Sequence, residues 1–265
     1  RETYLQLAIK QLWKYGVTAG HSDDLHYFGG FHLVLSAYQQ VLKRMPFRAH
    51  LLIHFQEVDN FVASRLPWLD QDALLQLGAV KLFYDGTISS KTALFSVAYQ
   101  DGTMGDRMWE KEKFIEEIRK IRSYGLPVAV HVIGDQAASE VLEVLKKYPP
   151  KDNQHDRLIH CSFMNEKAFN LAKQLPIFAD LQPQFLASDL PWGLKHLTKN
   201  PPYVYPWKTF ITSHIPMGFG SDAPVEDPNP LIGIYDAEYR ISKEDGCVYQ
   251  EEERLSRYAA IYQYT

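Results

Sequence analysis

LPVAVHVIGDQAASEVLEVL, residues Leu126 to Leu145, decides how the chain is read. Its first part, Pro127 to Val130, is β-rich and apolar at every position, the pattern of a strand covered on both faces in a parallel sheet. His131 closes that run. Gly134 and Asp135 then turn the chain, with Asp135 placed as an N-cap. Ala138, Val141, Leu142 and Leu145 recur at helical spacing until Pro149 and Pro150 stop the helix. The stretch is therefore one strand, one tight turn and one helix. An imidazole at the carboxyl end of a buried parallel strand stands where α/β folds keep their chemistry.

The same alternation extends in both directions. Upstream, Leu5, Ala8, Ile9, Leu12 and Trp13 form a helical stripe ending at Gly16, and Val17 to His21 reads as a strand. Phe31 to Met45 is helical in pattern, and Arg48 to Phe55 returns to strand. Val58 to Leu77 is mixed and reads as helical, Gly78 to Tyr84 as strand, and Asp85 to Asp106 as a long irregular stretch rich in Gly, Ser and Thr. Glu110 to Tyr124, with Phe114, Ile115, Ile118 and Ile121 on one face, is a helix leading into the opening stretch. Downstream come a strand from Arg157 to Phe163, a helix from Glu166 to Leu175 and a strand from Ile177 to Leu181. Gln182 to Tyr205 reads as a second long loop, studded with prolines. A short helix near Trp207 to Ser213 and a strand from Met217 to Ser221 complete the pattern. No two strands are close enough for a hairpin, so the sheet is expected to be parallel, and this many strand–helix units favour a TIM (β/α)-barrel over an open sheet. Without a linker or low-complexity segment, residues 1–265 read as a single barrel domain.

Composition narrows the function classes. With 265 residues and 46% hydrophobic content the chain can bury a full enzyme core. A formal net charge of −4 with interspersed signs gives no footprint for nucleic acid or an anionic membrane surface. Cys161 and Cys247 are too few for a disulfide scaffold, and no apolar run approaches the roughly 20 residues that span a bilayer. A cytoplasmic setting is the default expectation. The chain opens on Arg1 without methionine and breaks off in an amphipathic segment at Leu255 to Thr265, so it is expected to be an excerpt of a longer protein.

Four polar residues stand out once the strands are placed. Lys81 lies in GAVKLFYDG, His131 ends LPVAVHV, His160 lies in RLIHCSF and Asp222 follows MGFGS. Each belongs to a different strand near its carboxyl end, so in a closed barrel all four can face one mouth. Imidazoles and carboxylates are the groups that hold zinc and similar divalent ions, and a site drawn from separate strands needs no local motif. Taken singly each has a bland reading: a hydrogen-bonded strand histidine, a paired lysine, a Ser221-Asp222 turn. Asp85 and Gln182 sit just beyond strand ends, where they could contact substrate or simply be solvated. His21 and His54 also end strands and read as supporting residues.

These segments resemble a known family. GVT at Gly16 to Thr18, VKLFYDG at Val80 to Gly86, SSKTAL at Ser89 to Leu94, VHVIGDQA at Val130 to Ala137, RLIH at Arg157 to His160 and GSDAPV at Gly220 to Val225 are similar to the YtcJ-like branch of the amidohydrolase superfamily, amidohydrolase family 3. The resemblance implies that the strands present are barrel strands two to eight. The first strand, which carries an HxH metal pair in the family, and the flanking β-sandwich would be missing; no HxH occurs in the chain. It further implies that Lys81 is the strand-four lysine, carboxylated in many relatives, that His131 and His160 are the strand-five and strand-six ligands, and that Asp222 both binds metal and acts as the base.

The activity so implied is hydrolysis of C–N bonds in small amide-like molecules by a metal-activated water. Two divalent ions, zinc foremost, would be expected in the full-length protein and at most one in this chain, which alone would be inactive. The chain departs from the family at Ile159, Ser89 and Lys91, where Glu, Gly and Arg are usual, and these positions bear on substrate choice. Two other readings stay open at this point: a Schiff-base lyase using Lys81 as nucleophile, and a non-catalytic barrel that has lost its metal.

Overall fold

In the computed structural model of the chain, residues 1–70 and 73–265 are described. In chain order the elements are α1 (Glu2–Lys14), β1 (Ala19–Ser22), α2 (Phe31–Leu42), β2 (Arg48–His54), α3 (Val58–Ser64), β3 (Leu75–Phe83), α4 (Lys111–Ser123), β4 (Val128–Val132) and α5 (Asp135–Lys147). They continue as β5 (Asp156–His160), β6 (Phe163–Met164), α6 (Glu166–Ala172), β7 (Ile177–Leu181), α7 (Pro183–Asp189), α8 (Trp192–Lys195), β8 (Tyr203–Val204), α9 (Trp207–Thr212), β9 (Met217–Phe219), α10 (Pro230–Tyr239) and α11 (Arg257–Tyr262). The class is α/β, and the strand–helix repeat is that of an incomplete TIM barrel.

Two compact units divide the chain, residues 1–82 with 120–129 and residues 83–119 with 130–265. In the first, β1, β2 and β3 run parallel, with His21 opposite His50 and His54 opposite Lys81. The Val80 N–H continues the ladder to the Pro127 carbonyl at 2.9 Å. In the second, the Cys161 N–H reaches the Val132 carbonyl at 2.9 Å, so β5 follows β4. There β5 pairs in parallel with β7 and β7 with β9.

The opening stretch folds as its pattern predicts. Every residue of β4 is buried, as its unbroken β-branched and apolar character requires. Ala137, Ala138, Val141, Leu142 and Leu145 form the buried stripe of α5, each with no more than 1% of its surface exposed. Complete burial of a Val or Leu side chain contributes roughly 1.5–3 kcal/mol before entropy is counted.

Several expectations need correction. The helical reading of Val58 to Leu77 fails after Ser64: Arg65 turns left-handed at φ 54°, Pro67 follows, and Leu75 to Leu77 already belong to β3. Residues 71 and 72 of that stretch lie outside the described residues.

The Gln182 to Tyr205 loop is instead α7, α8 and β8, because Pro183 starts a helix at a position where its fixed φ and missing N–H do no harm. The strand from Arg157 stops at His160, since His160 and Cys161 adopt φ of 76° and 43°. Beyond them β6 pairs antiparallel with β8, so not every strand pairing is parallel. Asp135 is not the cap of α5: Gly134 holds that position without a side-chain bond, and Asp135 is the first helical residue.

Gly134 is required by close approach. A Cβ there would stand 2.0 Å from the Leu94 carbonyl oxygen.

Candidate active site

In the second unit the ends of β4 and β5 bring two imidazoles together. His131 and His160, 8% and 5% exposed, have ring centroids 4.5 Å apart with planes at 74°. His131 Nε2 lies 3.0 Å from the Gly86 carbonyl oxygen. A carbonyl only accepts, so Nε2 carries the hydrogen and Nδ1 the lone pair. His160 is held the opposite way: its Nδ1 is 2.7 Å from Gln182 Oε1. The aromatic ring of Phe185 lies nearly parallel to the His160 ring, with centroids 5.5 Å apart. Two neighbouring rings thus present different nitrogens.

Asp85 lies close to the first of these rings. It is 1% exposed, and its carboxylate accepts the backbone N–H groups of Leu94 (2.9 Å), Ile133 (3.0 Å) and Gly134 (2.8 Å), with Oδ1 3.8 Å from His131 Nε2. Burial pushes its carboxyl up to about 7, against the pull of those three donors. Asp135 works alongside it, accepting from the Ser96 N–H (2.8 Å), the Ser96 hydroxyl (2.5 Å) and Asn165 Nδ2 (3.1 Å). Two carboxylates, one after β3 and one opening α5, therefore tie the Leu94 to Ser96 segment down.

Asp222 follows β9 in a left-handed conformation, φ 56°. His160 and Asp222 are thus both non-glycine residues held in a sparsely populated region, which costs on the order of 1–3 kcal/mol each and recurs where function demands it. Among the described residues, no group of three or more His, Cys, Asp or Glu side chains is placed to hold one ion. The two histidines meet, while Asp222 is not grouped with them.

Lys81 belongs to the first unit, 7% exposed in β3 beside His54. Burial, with the charges of His26 and Lys81, pushes the His54 imidazole down to about 4 against the opposing pull of Glu57. Three residues here escaped the sequence reading. Asp23 Oδ1 is buried without a hydrogen-bond partner, and burial raises its carboxyl to about 7 although the Lys81 charge opposes the shift. His26 meets Glu57 at 3.0 Å through Nδ1 and stacks on His54 at 4.3 Å. The signal was SDDLH at Ser22 to His26, a polar cluster immediately after a strand. His21 stacks on His50 at 4.3 Å.

Comparison with known proteins shows the family of the chain. The model of a family described as "Amidohydrolase family" matches residues 1–265. The chain is 41% identical over 268 residues to the putative amidohydrolase YtcJ of Bacillus subtilis (strain 168), covering 98% of this chain and 50% of that protein. Solved structures of uncharacterized metal-dependent hydrolases from Pyrococcus furiosus and Pyrococcus horikoshii OT3 superpose with TM-scores of 0.84 and 0.86 at 26% identity. Each covers 100% of this chain, which in turn covers 54% and 53% of theirs. The chain spans about half the length of these relatives.

Proposed function

Because the chain belongs to the amidohydrolase family, we propose that its protein is a metal-dependent hydrolase of C–N bonds in small amide-like molecules. The observation that carries the reading is the His131–His160 pair: two buried imidazoles at neighbouring strand ends, one held through Nε2 by the Gly86 carbonyl and the other through Nδ1 by Gln182. Such a donor set fits zinc or a similar divalent ion. In this reading Lys81, His131, His160 and Asp222 would be the ligands, as the family resemblance implies. A bound divalent ion supplies Lewis acidity and lowers the pKa of water toward neutrality.

The remaining steps fall to the chain. Asp222 takes the proton as water oxygen attacks the amide carbon, then delivers it to the nitrogen as the C–N bond breaks. Asp85 keeps the Leu94 N–H and the β4–α5 turn in place, so its part is positioning. Replacement of Asp222 by Asn in the full-length protein tests the base. Turnover falls by on the order of 10²- to 10⁴-fold while metal occupancy is retained. A metal-replete Asp222→Asn protein with wild-type kcat would contradict the mechanism.

A further inference from the structure

We infer that Gln182 is the positioning residue of His160: its side-chain amide fixes the hydrogen on Nδ1 and so sets the lone pair on Nε2. Gln182 sits at the carboxyl end of β7, one strand along from His160, and is 7% exposed. Its Nε2 donates to the Asp180 carbonyl at 3.1 Å. That bond decides which way the amide faces, because a reversed amide would set oxygen against a carbonyl oxygen. Oε1 therefore points at His160, and the 2.7 Å contact requires an N–H at Nδ1.

The surroundings hold the pair still. Asp180 is itself fixed through its carboxylate, which takes Arg157 Nε and Nη2 at 2.7 and 2.5 Å across the β5–β7 pairing. His160 is stacked on Phe185, and the Cys161 N–H that follows it is bonded to Val132. Gln182 Oε1 is taken by the imidazole and one Nε2 hydrogen by the Asp180 carbonyl, so the amide is oriented from within the protein. Outer partners of this kind orient a ligating histidine and are typically worth about 10–100-fold in metal affinity. The effect on metal rests on the hydrolase reading above; the tautomer does not.

Three forms of the full-length protein test this: wild type, Gln182→Leu and Gln182→Glu. ¹⁵N spectra of labelled histidine in the metal-free protein report the tautomer, chelator competition with zinc reports affinity, and steady-state kinetics separate kcat from KM. The wild type is expected to show Nδ1–H at His160. Gln182→Leu should lose that preference and bind zinc about 10–100-fold more weakly, with the loss of turnover in kcat. Gln182→Glu, which keeps an acceptor facing Nδ1, should retain the tautomer and most of the affinity.

An Nε2–H tautomer in the wild type overturns the assignment, and this measurement needs no variant to fold. So does a Gln182→Leu protein with unchanged tautomer and zinc affinity but raised KM, which would make Gln182 a substrate contact. A wild type that shows Nδ1–H yet binds no zinc would sink the hydrolase reading and leave the positioning role standing.

Discussion

Arg107 grips Glu140 of α5 with two bonds, Nε at 2.7 Å and Nη2 at 2.6 Å, so the chain leaving the 85–106 segment is fastened to the helix that follows His131. The same carboxylate accepts the Tyr84 hydroxyl at 2.6 Å and Gln136 Nε2 at 2.8 Å. Burial alone would raise the Glu140 carboxyl, yet the Arg107, Tyr84 and Gln136 bonds prevail and bring it down to about 2.

A group whose pKa is lowered on folding adds stability that is present above its unfolded value and lost as pH falls toward its folded one. For Glu140 that window runs from 4.5 down to about 2. Glu140→Gln should destabilise the fold at neutral pH by about 1–3 kcal/mol and flatten the stability curve across that window. Urea unfolding at pH 7 and pH 3 measures both. Equal pH dependence in the two proteins would show that the carboxylate is not the acid-sensitive clasp.

Gly134→Ala places a methyl group against the Leu94 carbonyl at the β4–α5 turn. The turn or the 94–96 segment must move, at a cost of about 1–3 kcal/mol. A lowered thermal midpoint is expected, together with weaker metal binding, because the same turn carries the Asp85 bonds. An unchanged midpoint would mean that the segment yields freely.

The 87–104 segment is expected to govern substrate choice, since loops at strand ends set specificity while the strand ends set chemistry. It lies between Gly86, which bonds His131, and Arg107, which bonds Glu140. Its exchange for the corresponding segment of a relative should change the kcat/KM ranking across a panel of N-acyl amides and leave metal content as it was. Loss of metal on exchange would place ligand support inside the loop itself.

Much of this was legible in the sequence because periodicity is local. The β4–α5 stretch shows its buried strand and helical stripe directly, and His131 and His160 stand out as imidazoles ending apolar runs. What supports them was not legible. Gln182 lies 22 residues from His160 and meets it only through strand pairing, so nothing near either residue announces the contact. The prolines of 182–205 read as loop punctuation, whereas Pro183 occupies the first turn of α7. Asp85 read as a mouth residue, yet its oxygens are taken by backbone N–H groups brought in from two other segments. Helix α10 has its start written in the sequence, Asn229 capping the Leu231 N–H just before Pro230, a signal that strand periodicity does not carry.

Metal titration of the full-length protein tests most directly whether His131 and His160 would hold the divalent ion that the proposed amide hydrolysis requires. Metal content and turnover of an N-acyl amide panel are measured together, before chelation, after chelation and after zinc is returned, in wild type, His131→Asn and His160→Asn. The account predicts that wild-type turnover disappears with the metal and returns with zinc, and that either substitution removes both metal and turnover. Undiminished amide hydrolysis by protein stripped of metal would contradict it.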